Sequence, residues 1–552
     1  MTATARAPRR GRAPLPPWPA TRPLRAWQQR AAAAVLAHDG PAFLASATPA
    51  AGKTTFGLHV AHALLAAGRV QRVVVVAPTT HICRQWAADA ARYGIDLEPN
   101  RPNADGPEPR DRHGVAVTYQ TLAAGPEVHR RATRRAPTLL LADEPHHLGE
   151  QAAWGRSATA AFAAAELRLL LSGTPFRSDQ EPIPWVSYDA DGLSRADHAY
   201  GYTDALVDGV CRPVTFHAYD GEMAWMSDGR RRTAGFGVAL PAAESARRLR
   251  TALAADGDWI ARVLRDADAR LERVRAAGDP AAGGLVVAMD KAHADALATR
   301  LAAVTGEAPV VVTSDAPDAS ARIARFAAGS GRWLVSVLMV SEGVDVPRLR
   351  VGVYATTART ELFFRQVVGR FVRRRPAPRD QMAHLFLPAD PVLKTLAARV
   401  EEERNHALIL DAAPAEERAA PEPPAEPAPG EFRALWSSAR EEAELLQTTQ
   451  PGEPLALFAD PSPPALAAFT VSPVAAPAAP EPVQDRREQL REARRTLVAA
   501  VARRTGESHR AIHARINRAS GARTVADATV EQLEHGNRLL ERAAGPVRSL
   551  HG

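Results

Sequence analysis

The sequence predicts an α/β protein: two tandem domains, each on a parallel sheet, followed by a small helical domain. Three observations carry this. Short, continuous apolar runs alternate with helical stretches from Leu24 to about Ala205, and do so again from about residue 283. Runs of that kind read as buried parallel strands, and strands that alternate with helices imply βαβ units with helices on both faces. After a Pro-, Ala- and Glu-rich stretch, helical spacing returns over residues 485–545.

Composition bounds the rest. At 552 residues and 46% apolar content, the chain can bury several cores. Its formal net charge of +7 permits a nucleic-acid partner without requiring one. Cys83 and Cys211 stand far apart in no metal-binding spacing, which predicts a reducing compartment, the cytoplasm. The opening "MTATARAPRRGRAPLPPWPA" has no apolar core segment, and no run approaches 18 apolar residues. The expectation is therefore neither a signal peptide nor a membrane span.

In chain order, residues 1–22 read as a disordered basic terminus. The first domain, 23–205, opens with the apolar run "PAFLAS", a turn and the helical "TTFGLHVAHALLAAG". Between them, Gly52, Lys53 and Thr54 fit the phosphate-loop template G-x-x-x-x-G-K-[ST], with Ala47 in place of its leading glycine. In such a loop, backbone N–H groups and the helix N-terminus hold phosphates. Here Ala50, Ala51, Gly52 and Thr55 would line the cradle, Lys53 would reach the β and γ phosphates, and the Thr54 hydroxyl would bind Mg²⁺. Only Lys53, Lys291 and Lys394 among the 69 Lys and Arg residues are lysines. A compact ammonium fits a phosphate cradle where a planar guanidinium does not.

"RVVVVAP", "GVAVTYQ", "TLLLADE" and "LRLLLSG" supply further strands of this domain. Residues 206–282 predict an inter-lobe hairpin, "EMAWMSDGRRRTAG" with its turn at Asp228–Gly229, and an Arg-rich helix. The second domain, 283–405, carries "GGLVVAMD", "APVVVTSD", "WLVSVLM", "RVGVYAT" and "AHLFLP". Residues 406–484 read as a Pro/Ala-rich linker that buries too little apolar surface to fold. In the Arg-rich helical domain 485–545, Leu490, Leu497, Val498 and Val501 share one face.

Eight motifs, in one order from about Leu24 to Arg375, resemble those of superfamily two helicases and translocases. "LRAWQQRA" resembles the adenine-reading Q-type motif, with Arg25 and Gln28 at the base. The phosphate loop is motif I. "VVVAPTTHICRQWA" resembles motif Ia and "VTYQTL" motif Ib, which gives Thr79, Arg84, Thr118 and Tyr119 as nucleic-acid contacts. "LLLADEPHHLG" resembles motif II in its D-E-x-H form, and "LLLSGTPFR" resembles motif III. "MVSEGVDVP" and "FFRQVVGRFVRR" resemble motifs V and VI.

The resemblance implies two RecA-like domains sharing one Mg²⁺ and one ATP. It makes Asp143 the second Mg²⁺ residue and Glu144 the group that orients or deprotonates the attacking water. His146, Ser172 and Thr174 would couple that chemistry to the nucleic acid. Gln366, Arg370 and Arg373 would reach across from the second domain to stabilise phosphoryl charge. Glu342 and Gly343 would touch nucleic acid, and Asp345 nucleotide. The "DEPHH" and "SGTPFR" forms resemble the restriction-subunit and excision-repair branch, which favours DNA over RNA.

Several plainer readings stand beside these. Asp143 and Glu144 could be a solvated pair. His146 and His147 have no Cys or carboxylate cluster to complete a zinc site. His509 and His513 read as a surface pair, and Phe363 and Phe364 as core. Trp225 could be a strand-separating pin, though packing within its hairpin is the safer reading. No [DE]-x-K nuclease triplet exists, because Ala51, Met289 and Val392 stand two residues before the three lysines. The expected activity is an ATP-dependent DNA helicase or translocase. The alternatives are an RNA-dependent ATPase and an ATP-gated scaffold or motor subunit of a restriction or defence complex. Residues 485–545 are a candidate surface for a protein partner or for phosphate backbone.

Overall fold

The structure is a computed structural model, and it describes residues 14–150, 152–173, 183–189, 194–227, 229–313, 319–337, 346–376, 378, 381–409, 432–444 and 483–544. The first lobe runs α1 (Ala26–Ala37), β1 (Ala42–Ala47), α2 (Lys53–Ala66), β2 (Arg72–Ala77), α3 (Thr80–Ala91), β3 (Leu97–Pro99), β4 (Gly114–Thr118), α4 (Tyr119–Ala124), α5 (Pro126–Arg135), β5 (Thr138–Asp143), α6 (His147–Glu150), α7 (Ala152–Phe162) and β6 (Leu167–Ser172). A small ribbon of β7 (Ser187–Tyr188) and β8 (Ser194–Arg195) precedes β9 (His198–Tyr200). The seven-stranded sheet has the order β3-β4-β2-β5-β6-β1-β9, and every pairing in it is parallel.

Strand β2 shows why the apolar runs are continuous rather than alternating. Val73 and Val75 pack on one face of the sheet with Trp86 and Leu58, and Val74 and Val76 on the other with Phe162 and Leu148. Successive residues of a strand face opposite sides, so a sheet covered twice needs apolar residues at every position.

The second lobe begins with α8 (Tyr202–Val207), β10 (Val214–Asp220), β11 (Glu222–Ser227), β12 (Arg230–Gly235), α9 (Ala242–Ala252) and α10 (Asp258–Ala276). It continues through β13 (Gly283–Ala288), α11 (Lys291–Thr305), β14 (Val310–Val312), α12 (Ala319–Ala328), β15 (Trp333–Val337), β16 (Leu349–Ala355), α13 (Glu361–Phe371), β17 (Ala383–Pro388), α14 (Pro391–Ile409), β18 (Phe432–Ser437) and β19 (Arg440–Glu444). Its large sheet has the order β14-β15-β13-β16-β17-β10-β19, with β19 its one antiparallel strand. Both lobes are thus RecA-like α/β units, as the motifs implied.

Three expectations change. Residues 14–22 of the expected disordered terminus pack on the first lobe, where Trp18 stacks on Tyr93 at 4.0 Å and Pro16 O meets His62 Nε2 at 2.7 Å. The inter-lobe segment 206–282 is no separate insert, because β10 pairs along β17 and extends the second sheet. Residues 432–444, inside the expected linker, form β18 and β19, which pair with β11 and β10. A wide Pro/Ala-rich window averaged away the short β-forming run "FRALWS", which gains its backbone partners from the exposed edge of the hairpin. The hairpin itself pairs from Glu222↔Gly235 to Ser227↔Arg230, although Asp228 of its turn lies outside the described residues. Among the described residues no helix is long and apolar enough to cross a membrane.

At the C-terminus α15 (Val483–Thr505), α16 (His509–Ser520) and α17 (Val530–Ala544) enclose Val498, Val501, Ile512, Ile516 and Leu540. The Ser508 hydroxyl caps α16 by accepting from the Ala511 amide at 3.3 Å. Buried Arg494 ties the three helices together. It donates to Asn537 Oδ1 at 3.0 Å and Asn517 Oδ1 at 3.2 Å, and glycine at 536 leaves room for its guanidinium. Asn537→Leu strips a partner from a buried cation, so it should lower the opening free energy of this bundle by about 1–3 kcal/mol. Hydrogen exchange of the α15–α17 amides reads this directly, and exchange in the two lobes should stay unchanged.

Candidate nucleotide site between the lobes

The phosphate loop is shaped by helix α1. Three α1-side groups take the loop carbonyls. Arg25 Nη1 donates to Ala50 O at 3.0 Å and Ala51 O at 2.7 Å, Trp27 Nε1 to Ala51 O at 3.1 Å, and Gln28 Nε2 to Gly52 O at 2.9 Å. Ala50 and Gly52 are both left-handed, with φ of +68° and +93°. A Cβ at Gly52 would meet Gln28 Nε2 at 2.7 Å, so only glycine serves there. With its carbonyls committed to α1, the loop leads into the first turn of α2, whose amides have no intrahelical partner. Lys53, Thr54 and Thr55 form that turn.

Lys53 Nζ lies 3.2 Å from Glu144 Oε1 and donates to Ala47 O at 3.2 Å. Glu144 follows β5 with φ +53°, an uncommon conformation for a residue with a Cβ. That turn aims its carboxylate at Lys53, at the Gly173 amide (3.1 Å) and at His146 Nδ1 (3.6 Å). Burial alone would raise its pKa, but the charges of Lys53 and His146 and the Gly173 bond hold it below the usual carboxylate range. Asp143 behaves oppositely. Burial first, then the Glu144 charge, push it up to about 6.

Asp143 is held twice from the first-lobe helices. Trp86 Nε1, on α3, donates to its Oδ2 at 2.8 Å, and Tyr119 Oη, on α4, donates to its carbonyl at 2.8 Å. Neither tie was expected: a tryptophan on an amphipathic helix carries no signal beyond core packing. Tyr119 therefore corrects an expectation. It is 1% exposed and anchors Asp143 from behind, so it does not stand in a nucleic-acid groove. Thr79 and Thr118 cap α3 and α4, accepting from the Ile82 amide (3.3 Å) and the Thr121 amide (3.1 Å). Thr79 stands just after β2 and Thr118 ends β4, its paired neighbour, so both lie along one edge of the sheet. Arg84 is exposed on α3.

The second lobe meets this site through α13. Gln366 Nε2 lies 3.5 Å from His146 Nε2. A Cβ at Gly369 would strike Pro49 of the phosphate loop at 2.5 Å, so lobe and loop touch there. Arg370 lies one turn beyond Gln366 and shares its face. Arg373 pairs with Cys211, whose thiol approaches Pro49 O at 3.5 Å. Both arginines are half-buried. Ser172 is buried at the end of β6. Thr174, Glu342, Gly343 and Asp345 lie outside the described residues.

Phe363 and Phe364 are buried in the second lobe's core. Trp225 is 0% exposed, with Nε1 donating to Glu244 Oε2 at 2.8 Å, so it is no strand-separating pin. Among the described residues no group of three or more His, Cys, Asp or Glu side chains is gathered for a metal.

Residues 21–177 match the family model of the type III restriction enzyme res subunit, and the match contains the loop, Asp143, Glu144 and His146. Over these residues the chain is superfamily two helicase-like. It is 50% identical over 392 residues to an uncharacterised protein of Mycobacterium tuberculosis, covering 70% of this chain and 64% of that one. An uncharacterised protein of Mycobacterium leprae is 48% identical over 393 residues, covering 70% and 65%. The chain thus spans slightly under two thirds of the length of these relatives. A fragment of an HsdR subunit of a type I restriction enzyme from Vibrio vulnificus superposes with TM-score 0.47 at 18% identity, covering 68% of this chain and 65% of that one.

The α1 clamp makes a measurable claim about this helicase-like site. Arg25→Ala removes two loop-carbonyl bonds, each worth about 0.5–1.5 kcal/mol. Exchange of the amides at 50–55 should quicken, and affinity for a fluorescent ATP analogue should fall by about tenfold. Unchanged exchange and affinity would show that the loop holds its shape without α1.

Proposed function

We propose that this protein is an ATP-dependent DNA helicase or translocase, in which ATP hydrolysis drives the two lobes to close on and release nucleic acid. One observation supports it most strongly. A chain of contacts runs from the phosphate loop to the second lobe: Lys53 to Glu144 at 3.2 Å, Glu144 to His146 at 3.6 Å, and His146 to Gln366 at 3.5 Å. A change at the phosphates is thereby felt across the cleft.

The residues fit Mg²⁺ and ATP. The α1 clamp and the left-handed turns at Ala50 and Gly52 make a concavity suited to anions, and Thr54 with Asp143 offers hard oxygen ligands for Mg²⁺. Bound there, Mg²⁺ and ATP supply the transferable phosphoryl group and neutralise its charge. Ala50, Ala51, Gly52 and Thr55 line the cradle, Lys53 pairs with the phosphates, and Arg25 and Gln28 fix the loop beside the base. Trp86 holds Asp143 by one oxygen, which leaves the other for the metal. Glu144 orients the water and takes its proton, its low pKa keeping it ionised at neutral pH. Arg370 and Arg373 face the charge that builds on transfer, and Gln366 reports through His146. Ser172 and Thr174 relay the state to the strand, which Thr79, Arg84 and Thr118 grip with Glu342 and Gly343. Asp345 takes the nucleotide from the second lobe.

The restriction-subunit match favours DNA over RNA, and it favours a second reading in which the chain is the motor of a restriction or defence assembly. With no [DE]-x-K triplet in the sequence, cleavage in such an assembly would fall to another subunit. ATP hydrolysis measured with single-stranded DNA, duplex DNA and RNA tests the proposal. DNA should stimulate turnover most, RNA-selective stimulation would make the protein an RNA-dependent ATPase, and indifference to all three would end the motor reading. Glu144→Gln should lower stimulated turnover by about 10²–10⁴-fold while DNA binding with ATP tightens. No change in either would remove the role assigned to Glu144.

A further inference from the structure

The C-terminal helices are fixed to the first lobe by buried charge. Arg487, 0% exposed, donates to Asp111 Oδ2 at 2.5 Å, and the same oxygen accepts from the Val530 amide at 3.2 Å. Arg101 donates to Asp527 Oδ1 at 3.1 Å and Ala526 O at 3.3 Å, and Arg491 reaches Glu98 at 3.4 Å. All the first-lobe partners lie at 98–111, from Glu98 within β3 to Asp111 just before β4. That same loop braces the rim capped by Thr79 and Thr118. Asn100 Nδ2 donates to Thr80 O at 3.1 Å, and Asn103 Nδ2 to Thr121 O at 2.7 Å. The bundle is thus seated beside the edge assigned above to the strand.

The stretch from the end of α15 through α16 is strongly basic. Between Arg503 and Arg523 stand six arginines and one carboxylate, Glu507, which pairs with Arg515 at 3.1 Å. Elsewhere in the bundle Arg486 pairs with Glu534 and Arg495 with Glu492. Arg503, Arg504, Arg510 and Arg518 are exposed and have no carboxylate partner among the described residues. From Arg487 to Arg503, α15 advances roughly 24 Å, about seven base-pair steps of duplex. No exposed large hydrophobic residue lies in the bundle among the described residues. A protein partner would want an apolar or aromatic centre there, whereas unpaired guanidinium groups around a helix turn suit phosphate oxygens.

We propose that Arg503, Arg504, Arg510 and Arg518 form a second nucleic-acid grip, which holds the phosphate backbone of duplex DNA on the flank of the first-lobe rim. The grip rests on the DNA-motor reading above. It adds affinity without sequence preference and lengthens the bound stretch.

The test uses the full chain and a duplex of about three helical turns, with affinity measured by fluorescence anisotropy across a salt series. Replacing all four arginines by glutamine (Arg503→Gln, Arg504→Gln, Arg510→Gln, Arg518→Gln) should make the slope of log K against log salt shallower by about two to four, near 0.9 per lost contact. A matched control neutralises Arg92, Arg130, Arg131 and Arg262, which are exposed but already paired with carboxylates. Its slope should stay near wild type. An unchanged slope in the quadruple variant overturns the grip and leaves an acidic protein as the partner of that basic stretch. An equal fall in the control overturns it too, by reducing it to net charge. ATP hydrolysis by the wild type with the same duplex separates the two claims. Stimulated hydrolysis with unaltered slopes sinks the grip alone, and unstimulated hydrolysis sinks the motor whatever the slopes show.

Discussion

The contact between Lys53 and Glu144 is the one on which the site depends. It joins the ends of two strands that are neither consecutive in sequence nor adjacent in the sheet, since β6 lies between β1 and β5. Only a parallel sheet brings the carboxyl ends of all its strands to one edge, and the first-lobe groups assigned to phosphate, metal and water emerge there: the loop after β1, Asp143 at the end of β5 and Glu144 just after it, with Ser172 at the end of β6. The order β4-β2-β5-β6-β1 also sorts the edge. The nucleotide residues occupy one side and the capped rim of Thr79 and Thr118 the other.

Asp143 sits where these halves meet. The helices whose caps form the rim, α3 and α4, each send one side chain to it, Trp86 to the carboxylate and Tyr119 to the carbonyl. A hydrogen bond to a charged group is worth about 1.5–3 kcal/mol. A shift of α3 under load on the rim would therefore be opposed by, and transmitted to, the carboxylate assigned to Mg²⁺. On the opposite wall, His146 lies between Glu144 and Gln366, at 3.6 Å and 3.5 Å. The site is thus read from two directions, by the rim within the first lobe and by α13 from the second.

Much of this was legible in the residues. The apolar runs gave the strands of both lobes, because a sheet buried on both faces favours apolar residues at most positions. The template around Gly52–Lys53–Thr54 placed the loop, and "LADEPHH" placed Asp143, Glu144 and His146. What escaped was whatever depends on tertiary neighbours. The clamp by Arg25, Trp27 and Gln28 is a matter of loop carbonyls, which no side-chain pattern encodes. Tyr119 reads as a groove residue and Trp86 draws no reading, because nothing local marks a hydrogen bond to a strand 24 or 57 residues away. Strands β18 and β19 escaped because an edge strand takes its stability from the sheet that it joins, so its own composition says little.

The central claim is that the phosphate site is coupled to the second lobe through His146 and Gln366. A double-mutant cycle on nucleic-acid-stimulated ATP turnover, with His146→Ala and Gln366→Ala singly and together, tests it most directly. The account predicts strong non-additivity, a coupling of about 1 kcal/mol or more, with the double variant hardly worse than the poorer single one. Additive losses would contradict it, because the two side chains would then act independently and the contact across the cleft would carry no signal.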